Sequence, residues 1–321
     1  MSVRDDVIYA LEMSRGAAVS GEALASRLGV SRNAVFKAVG MLKKNGYSII
    51  STRGGYMLSG DDSTLSVAGI EKHLQNKYNI QLYNEVSSTN TILKSMAENG
   101  AEEWTVVVAE KQTAGRGRLG RSFISPGKTG IYTSVLLRPD IPLDKVTLIT
   151  VAAAVAAKRA IEKVSGKDAM IKWVNDVYIG EKKVCGILTE AAFDAEISKL
   201  AYAVLGIGIN VALPEGGFGG GVDNIAGAVT DRATAEIRAE LIALFLDTFR
   251  SFYENGLDGV ADEYRKSQYL DGKTIDVERN GKTVSAVAIG VDEMCRLCVK
   301  YDDGSEEKIS SGEVSVHLSH V

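Results

Sequence analysis

The chain has 321 residues, 45% hydrophobic and 24% charged, the balance of a globular protein with real cores and room for two or three domains. A net charge of −4 excludes a uniformly basic nucleic-acid binder. The charge is uneven, however: residues 1–60 hold 8 basic and 4 acidic side chains, so the remainder is strongly acidic. Three cysteines argue against a disulfide scaffold and fit a reducing cytoplasm. The first stretch, MSVRDDVIYALEMS, is charged too early for a signal peptide, and no apolar run is long enough for a membrane span.

In chain order, residues 3–14 have the apolar spacing of an amphipathic helix, and GEALASRL at 21–28 is a second, short one. Gly29 ends it, and Ser31 is placed to cap a third helix running to about Asn45. Two helices separated by GVS have the spacing of a helix-turn-helix, and YSIISTRGGYMLSG alternates around Gly54-Gly55 like a hairpin. Together these suggest a winged helix-turn-helix over residues 1–60. A small protein-binding helical module has the same outline. What favours DNA is the absence of Asp and Glu from 23 to 60, with Ser31, Arg32, Asn33 and Lys37 near the start of the recognition helix and Arg53 in the hairpin.

SGDDSTLS is polar and turn-rich, and residues 61–66 are expected to be a linker. Beyond it, helices are expected over 67–78, 88–98, 143–164 and 236–253. Strands are expected over 80–86, 104–110, 132–137, 170–173, 184–189 and 200–209. This is not a clean βαβ alternation, so residues 67–270 read as an α+β domain on a mixed or antiparallel sheet. From 271 to 321, short strand-like runs broken at Asn280-Gly281 and Asp303-Gly304 read as a small β domain.

The most unusual segment is KQTAGRGRLGR at 111–121. Its glycines, Gly115, Gly117 and Gly120, match a dinucleotide fingerprint, but Pro126 and Gly127 leave no room for the required helix. Gly127-Lys128-Thr129 fails as a Walker A end, because Ser122 stands where its glycine belongs. What remains is a loop that lets backbone approach a ligand and offers Arg116, Arg118 and Arg121 to a carboxylate or phosphate. Three close arginines repel, so the loop is expected to order around an anion; the competing account is a solvated basic turn. Lys172-Trp173-Val174-Asn175-Asp176, Ser88-Thr89-Asn90 and Gly206-Ile207-Gly208-Ile209-Asn210 are each unremarkable alone: a strand turn, a helix cap and a strand end. Cys295, Cys298, His317 and His320 have zinc-ligand types, but CRLC lies in an alternating run without a knuckle, which weighs against a zinc site. Glu215 to Gly221, EGGFGGG, is too glycine-rich to be rigid on its own.

Taken in this order, these pieces resemble the bifunctional biotin protein ligase and biotin-operon repressor family along essentially the whole chain. The resemblance rests on S88-T89-N90, Q112, the G115-R-G-R-L-G-R121 loop, K172-W-V-N-D176, K183-V-C-G186 and G206-I-G-I-N210. It implies a central domain of the class II aminoacyl-tRNA synthetase and biotin synthetase type and a C-terminal SH3-like barrel. It also implies biotin at Ser88, Thr89, Asn90, Gln112, Gly115, Arg116, Gly117 and Arg118, with Lys183 reaching the biotin carboxylate. ATP would lie at Arg118, Arg121, Phe123, Lys172, Asn175, Asp176 and Asn210, with Asp176 for Mg²⁺. Lys183, Arg116, Arg118 and Lys172 would carry catalysis.

The implied partners are a biotin carboxyl carrier domain, operator DNA and a second copy of the chain in a ligand-promoted dimer. The implied chemistry needs cations around developing charge and no protein nucleophile, which suits a chain with only three histidines. Val174, Phe123 and Leu119 depart from the family pattern, where Pro, Trp and, in some members, Arg stand. Rival functions are a ligand-sensing repressor without turnover and ligation of lipoate or another acyl group.

Overall fold

Local chemistry sets the first three helices. α1 (Val3–Glu12) starts at a Ser2–Asp5 capping box. α2 (Gly21–Leu28) starts at Ser20, whose Oγ accepts from the Ala23 amide, and stops at Gly29, which takes φ 65°. α3 (Arg32–Lys44) starts at Ser31 in the same way. β1 (Ile49–Thr52) and β2 (Gly55–Leu58) form the antiparallel hairpin that follows. Val7, Leu11, Leu24, Val35, Leu42 and Leu58 close a core belonging to this head alone. The computed structural model describes residues 2–142, 145–194, 199–279, 282–310, 312 and 314–316.

The central domain is built on a seven-stranded sheet. Its strands are β3 (Asn79–Val86), β4 (Thr105–Gln112), β5 (Gly130–Leu137), β6 (Met170–Lys172), β7 (Asp176–Ile179), β8 (Lys182–Asp194) and β9 (Lys199–Asn210), in the order β3-β4-β5-β9-β8-β7-β6. Only β3 and β4 run parallel, so the sheet is mixed, as expected for α+β. Residues alternate between faces. Val106 and Val108 enter the main core with α6 (Val146–Ser165) and α7 (Ala235–Glu254), while Val107 joins Leu93 of α5 (Thr89–Glu98) in a smaller cluster behind.

Two sequence expectations are corrected here. The helix expected over 67–78 is only α4 (Val67–Glu71), after which the chain turns and Asp247 accepts the amides of Gln75 and Asn76. β7 and α8 (Val260–Lys266) were not expected; α8 buries Tyr264 against the main core. Residues 61–66, expected as a linker, run between head and central domain with Asp62, Thr64, Leu65 and Ser66 buried.

The C-terminal strands are β10 (Thr274–Arg279), β11 (Lys282–Val291), β12 (Leu297–Lys300), β13 (Glu306–Ile309) and β14 (Val314–Val316). They form one antiparallel sheet in the order β13-β12-β11-β10-β14. Among the described residues β13 does not pair with β14, so the sheet is open rather than a closed barrel. Gly304, at φ 84°, makes the turn expected at Asp303-Gly304; Asn280-Gly281 lies outside the described residues. No helix among the described residues is long and apolar enough to cross a membrane.

Candidate active site

A cleft enclosing about 140 Å³ lies over the β8–β9 half of the sheet and opens widely to solvent. Its floor is paved with glycine because side chains from elsewhere lie on it. Gly186 of β8 pairs across with Gly208 of β9, and Leu188 with Gly206. A Cβ on Gly208 would sit 2.5 Å from the Phe123 ring, and one on Gly206 would sit 2.2 Å from Asn90 Oδ1. The room these glycines leave is filled by Phe123 and Asn90.

One wall is the start of α5. Ser88 is its N-cap, as expected, by backbone conformation, but among the described residues it makes no side-chain cap bond, so its hydroxyl is not spent there. The Thr89 amide instead donates to Gln112 Oε1 (2.9 Å), and Gln112 Nε2 donates to Ser125 Oγ (2.9 Å). Ser134 Oγ lies within hydrogen-bond distance of Thr89 Oγ1 (2.7 Å) and Asn90 Oδ1 (2.6 Å). Asn90 Nδ2 donates to Glu190 Oε2 (2.8 Å). Ser88, Thr89, Asn90 and Gln112 therefore form one oriented polar wall.

The arginine loop covers this wall. It folds back on itself, Gly117 N to Arg121 O (2.7 Å) and Phe123 N to Gly115 O (2.9 Å). Gly115 does not line the cleft. It is glycine because a Cβ there would lie 2.3 Å from Phe123 O, so its role is to let the return strand close. Arg116 and Arg118 diverge rather than cluster. Arg116 bonds Glu190 Oε2 (3.1 Å) and Thr91 Oγ1 (3.2 Å); Arg118 bonds Asn175 Oδ1 (3.0 Å) and Gly312 O (3.0 Å). Partners within the chain thus take up part of the repulsion that the sequence left for an external anion.

The opposite wall is the segment from Lys172 to Asp176 with Lys183. Trp173 Nε1 donates to Cys295 O (2.9 Å) and Tyr264 Oη donates to Val174 O (3.1 Å), so the β11–β12 turn and α8 hold this turn from behind. The Trp173–Val174 peptide is cis. Asn175 Nδ2 donates to Ile187 O (2.8 Å), which aims Oδ1 at Arg118. Lys183 Nζ lies 2.7 Å from Asp176 Oδ2, while Asp176 Oδ1 is buried with no hydrogen-bond partner among the described residues. Lys172 lies with its Nζ 6.0 Å from the Tyr178 ring centroid. Arg121, Phe123, Lys172, Asn175 and Asp176 all line the cleft. Asn210 does not: it is buried at the end of β9, where its carbonyl accepts from Val229 N (3.0 Å).

Sequence reasoning missed Glu190. Burial raises the cost of ionising it, but hydrogen bonds from Lys94 and Asn90 and the charges of Lys94 and Arg116 hold its carboxyl below the ordinary value. Its partners are 74 to 100 residues away in the chain, beyond any local pattern. Ser134, Val314 and the Gly312 carbonyl were missed for the same reason. The buried Cys185 thiol is pushed far up by burial and is inert. Among the described residues no group of three or more His, Cys, Asp or Glu gathers as a metal cage; His317 and His320 lie outside them.

On the head, Ser31 is the α3 cap, and Arg32, Asn33, Lys37 and Arg53 are exposed, the first three on α3 and Arg53 in the β1–β2 turn.

A glycine-floored anion cleft on a mixed sheet, joined to a helix-turn-helix head, defines a class of two-headed ligand-activating proteins. Family models agree with this division: an HTH domain matches residues 3–57, the Biotin/lipoate A/B protein ligase family 82–210, and the Biotin protein ligase C terminal domain 272–316. The bifunctional ligase/repressor BirA of Bacillus subtilis is 33% identical over 98% of this chain and 99% of its own length. The biotin--[acetyl-CoA-carboxylase] ligase of Mycobacterium tuberculosis is 31% identical over 73% of this chain and 87% of its own. Among solved structures, the biotin protein ligase from Aquifex aeolicus in complex with biotin and ATP matches 75% of this chain and 99% of its own, with a TM-score of 0.61 and 26% identity. The chain belongs to the family of bifunctional biotin protein ligases and repressors.

Proposed function

We propose that this protein is an ATP-dependent, AMP-forming biotin protein ligase that also represses transcription through its helix-turn-helix head. The biotin carboxylate attacks the α-phosphorus of ATP, the new C–O–P anhydride forms, and pyrophosphate leaves. A lysine amine of a biotin carboxyl carrier domain then attacks the anhydride carbonyl; the amide forms, AMP leaves, and the amine loses its proton. In the first step two anions approach each other, so cations already fixed around the reacting atoms lower the barrier. The observation that carries this reading is the convergence of Lys183, Arg116, Arg118 and Lys172 on one cleft with the oriented wall of Thr89, Asn90 and Gln112.

In this assignment the wall from Ser88 to Asn90, Gln112 and the loop backbone hold biotin. Lys183 meets its carboxylate, leaving Asp176. Arg118, Arg121, Phe123, Lys172 and Asn175 serve ATP. Mg²⁺ fits at Asp176, because its buried Oδ1 has no hydrogen-bond partner among the described residues and Mg²⁺ takes one or two carboxylates plus substrate phosphates. When bound it would offset phosphate charge. The finer fold assignments are a class II synthetase-like central sheet and an opened form of an SH3-like barrel at the C-terminus. A single helix-turn-helix binds DNA weakly, so a dimer on a palindromic site is the functional repressor, favoured when adenylate orders the loop from Glu215 to Gly221 and the arginine loop.

The test is incubation with biotin, MgATP and a carrier domain, with transfer read by mass. Transfer that is lost in Lys183→Ala and Arg118→Ala supports the ligase and its site together. Biotin binding without transfer in the wild type would leave a sensor; transfer of lipoate in preference to biotin would change the substrate.

A further inference from the structure

α3 has two unlike faces. Val35, Ala38, Val39 and Leu42 are buried in the head core. On the opposite face Phe36 is 66% exposed, with Arg32 and Lys37 beside it also exposed. One turn further along this face stands Gly40, and a Cβ built on it meets no atom within 4 Å. Glycine inside a helix is unfavourable relative to alanine, and nothing in the chain's own packing requires it here. A bare backbone and a projecting aromatic ring, one turn apart on a face with no acidic residue from 23 to 60, fit an external polyanion rather than the chain itself.

We propose that Phe36 reads a thymine methyl in the major groove and that Gly40 is kept bare so that the DNA can approach α3 closely. The inference rests on the DNA-binding role of the head. Arg32 and Lys37 supply phosphate contacts that position the helix without reading sequence, whereas apolar contact with the C5 methyl is a sequence signal available only in the major groove. Phe36 carries no charge, so its contribution is separable from theirs by salt.

The experiment uses the full chain with biotin and MgATP. Bound sites are selected from random duplexes, and each thymine of the selected site is then replaced by deoxyuridine. One methyl's burial corresponds to roughly a fourfold change in affinity. The wild type is expected to lose about that factor at one thymine per half-site. Phe36→Ala is expected to bind more weakly, to ignore that same replacement, and to keep the wild-type salt slope; Lys37→Ala should lower the slope by about one. Gly40→Ala is expected to unfold at a higher temperature and yet bind DNA less tightly, opposite signs that a purely structural role would not give. Phe36→Ala that remains sensitive to the same uridine, or Gly40→Ala with unchanged affinity, would overturn the inference and leave DNA binding intact. A wild type that selects no sequence would overturn both, and would favour a protein partner for this face.

Discussion

Lys183 and Asp176 form a pair at 2.7 Å, each about a fifth to a third exposed, at the point where the cleft needs a mobile cation. The carboxylate aims the ammonium into the cleft, where a substrate anion can take it over. Removing one preorganised donor of this kind typically costs about 10²–10³ in rate. Lys183→Ala should therefore lose adenylate formation by about that factor, while Lys183→Arg recovers part of it, read by pyrophosphate exchange. Glu190 acts through others. It orients Asn90 and Arg116, so Glu190→Ala removes their charged acceptor and leaves the Asn90 amide only Leu188 O and the Arg116 guanidinium only Thr91 Oγ1 among the described residues. Biotin KM should rise by roughly tenfold with kcat less affected, and Glu190→Gln should restore most of the Asn90 contact. Because its folded pKa lies below the ordinary 4.5, the stability that ionised Glu190 contributes is present above that value. It is lost as pH falls through the lowered pKa. The difference in unfolding free energy between wild type and Glu190→Gln should be constant at neutral pH and shrink below about pH 4.5. A difference that grows on acidification would contradict the assignment.

At the scale of elements, the glycine floor of β8 and β9 is the part of the site that packing explains best. Gly208→Ala drives a methyl into the Phe123 ring, so ATP KM should rise and stability should fall. The clash involves one side chain, so Phe123→Ala in the same molecule should recover the stability, and the two changes should be far from additive in denaturant titrations. Additive losses would mean that the backbone, rather than the ring, resists. The same strands show how far sequence patterns reach. Ser31 and Gly29 set the helix-turn-helix because capping is local, and β4 was legible as a short apolar run, Val106 to Val108, whose two faces are both buried against different helices. β7 escaped because it is short and begins at Asp176, inside the segment that reads as the turn after β6. α4 was drawn too long because the side chain that ends the pattern, Asp247, comes from α7. Of the site, the cations and the polar wall were legible through the resemblance. Glu190, Ser134 and the Gly312 carbonyl were not, since only folding brings them to residues so distant in the chain.

At the scale of the molecule, the basic head is bolted to the acidic body by polar groups out of water. Glu12 of α1 is buried and accepts from Arg15 (2.7 Å) and from Ser66 Oγ (2.5 Å), and the chain from Asp62 to Ser66 is gripped from both sides. From the head, Tyr47 Oη donates to Leu65 O (2.9 Å) and the Ser48 amide to Asp62 (3.2 Å). From the body, Glu110 of β4 accepts the Leu65 amide (2.6 Å) and Arg238 of α7 donates to Ser63 O (2.6 Å). Arg238 and Glu110 also make an ion pair at 2.8 Å, with their side chains 0% and 9% exposed. Breaking a buried pair from one side strands a charge and costs about 3–5 kcal/mol. Such groups are screened little by salt, whereas phosphate contacts on the head are screened strongly. Two independent cores joined by one buried polar joint should therefore melt together while the joint holds. The wild type should show a single calorimetric transition even at salt concentrations that abolish DNA binding. Arg238→Met should split it, the head, with its own core, melting apart from the ligase. A single transition in Arg238→Met, merely shifted down, would mean that the joint's other contacts, Glu12 to Ser66, Tyr47 to Leu65 and Ser48 to Asp62, couple head and body without Arg238.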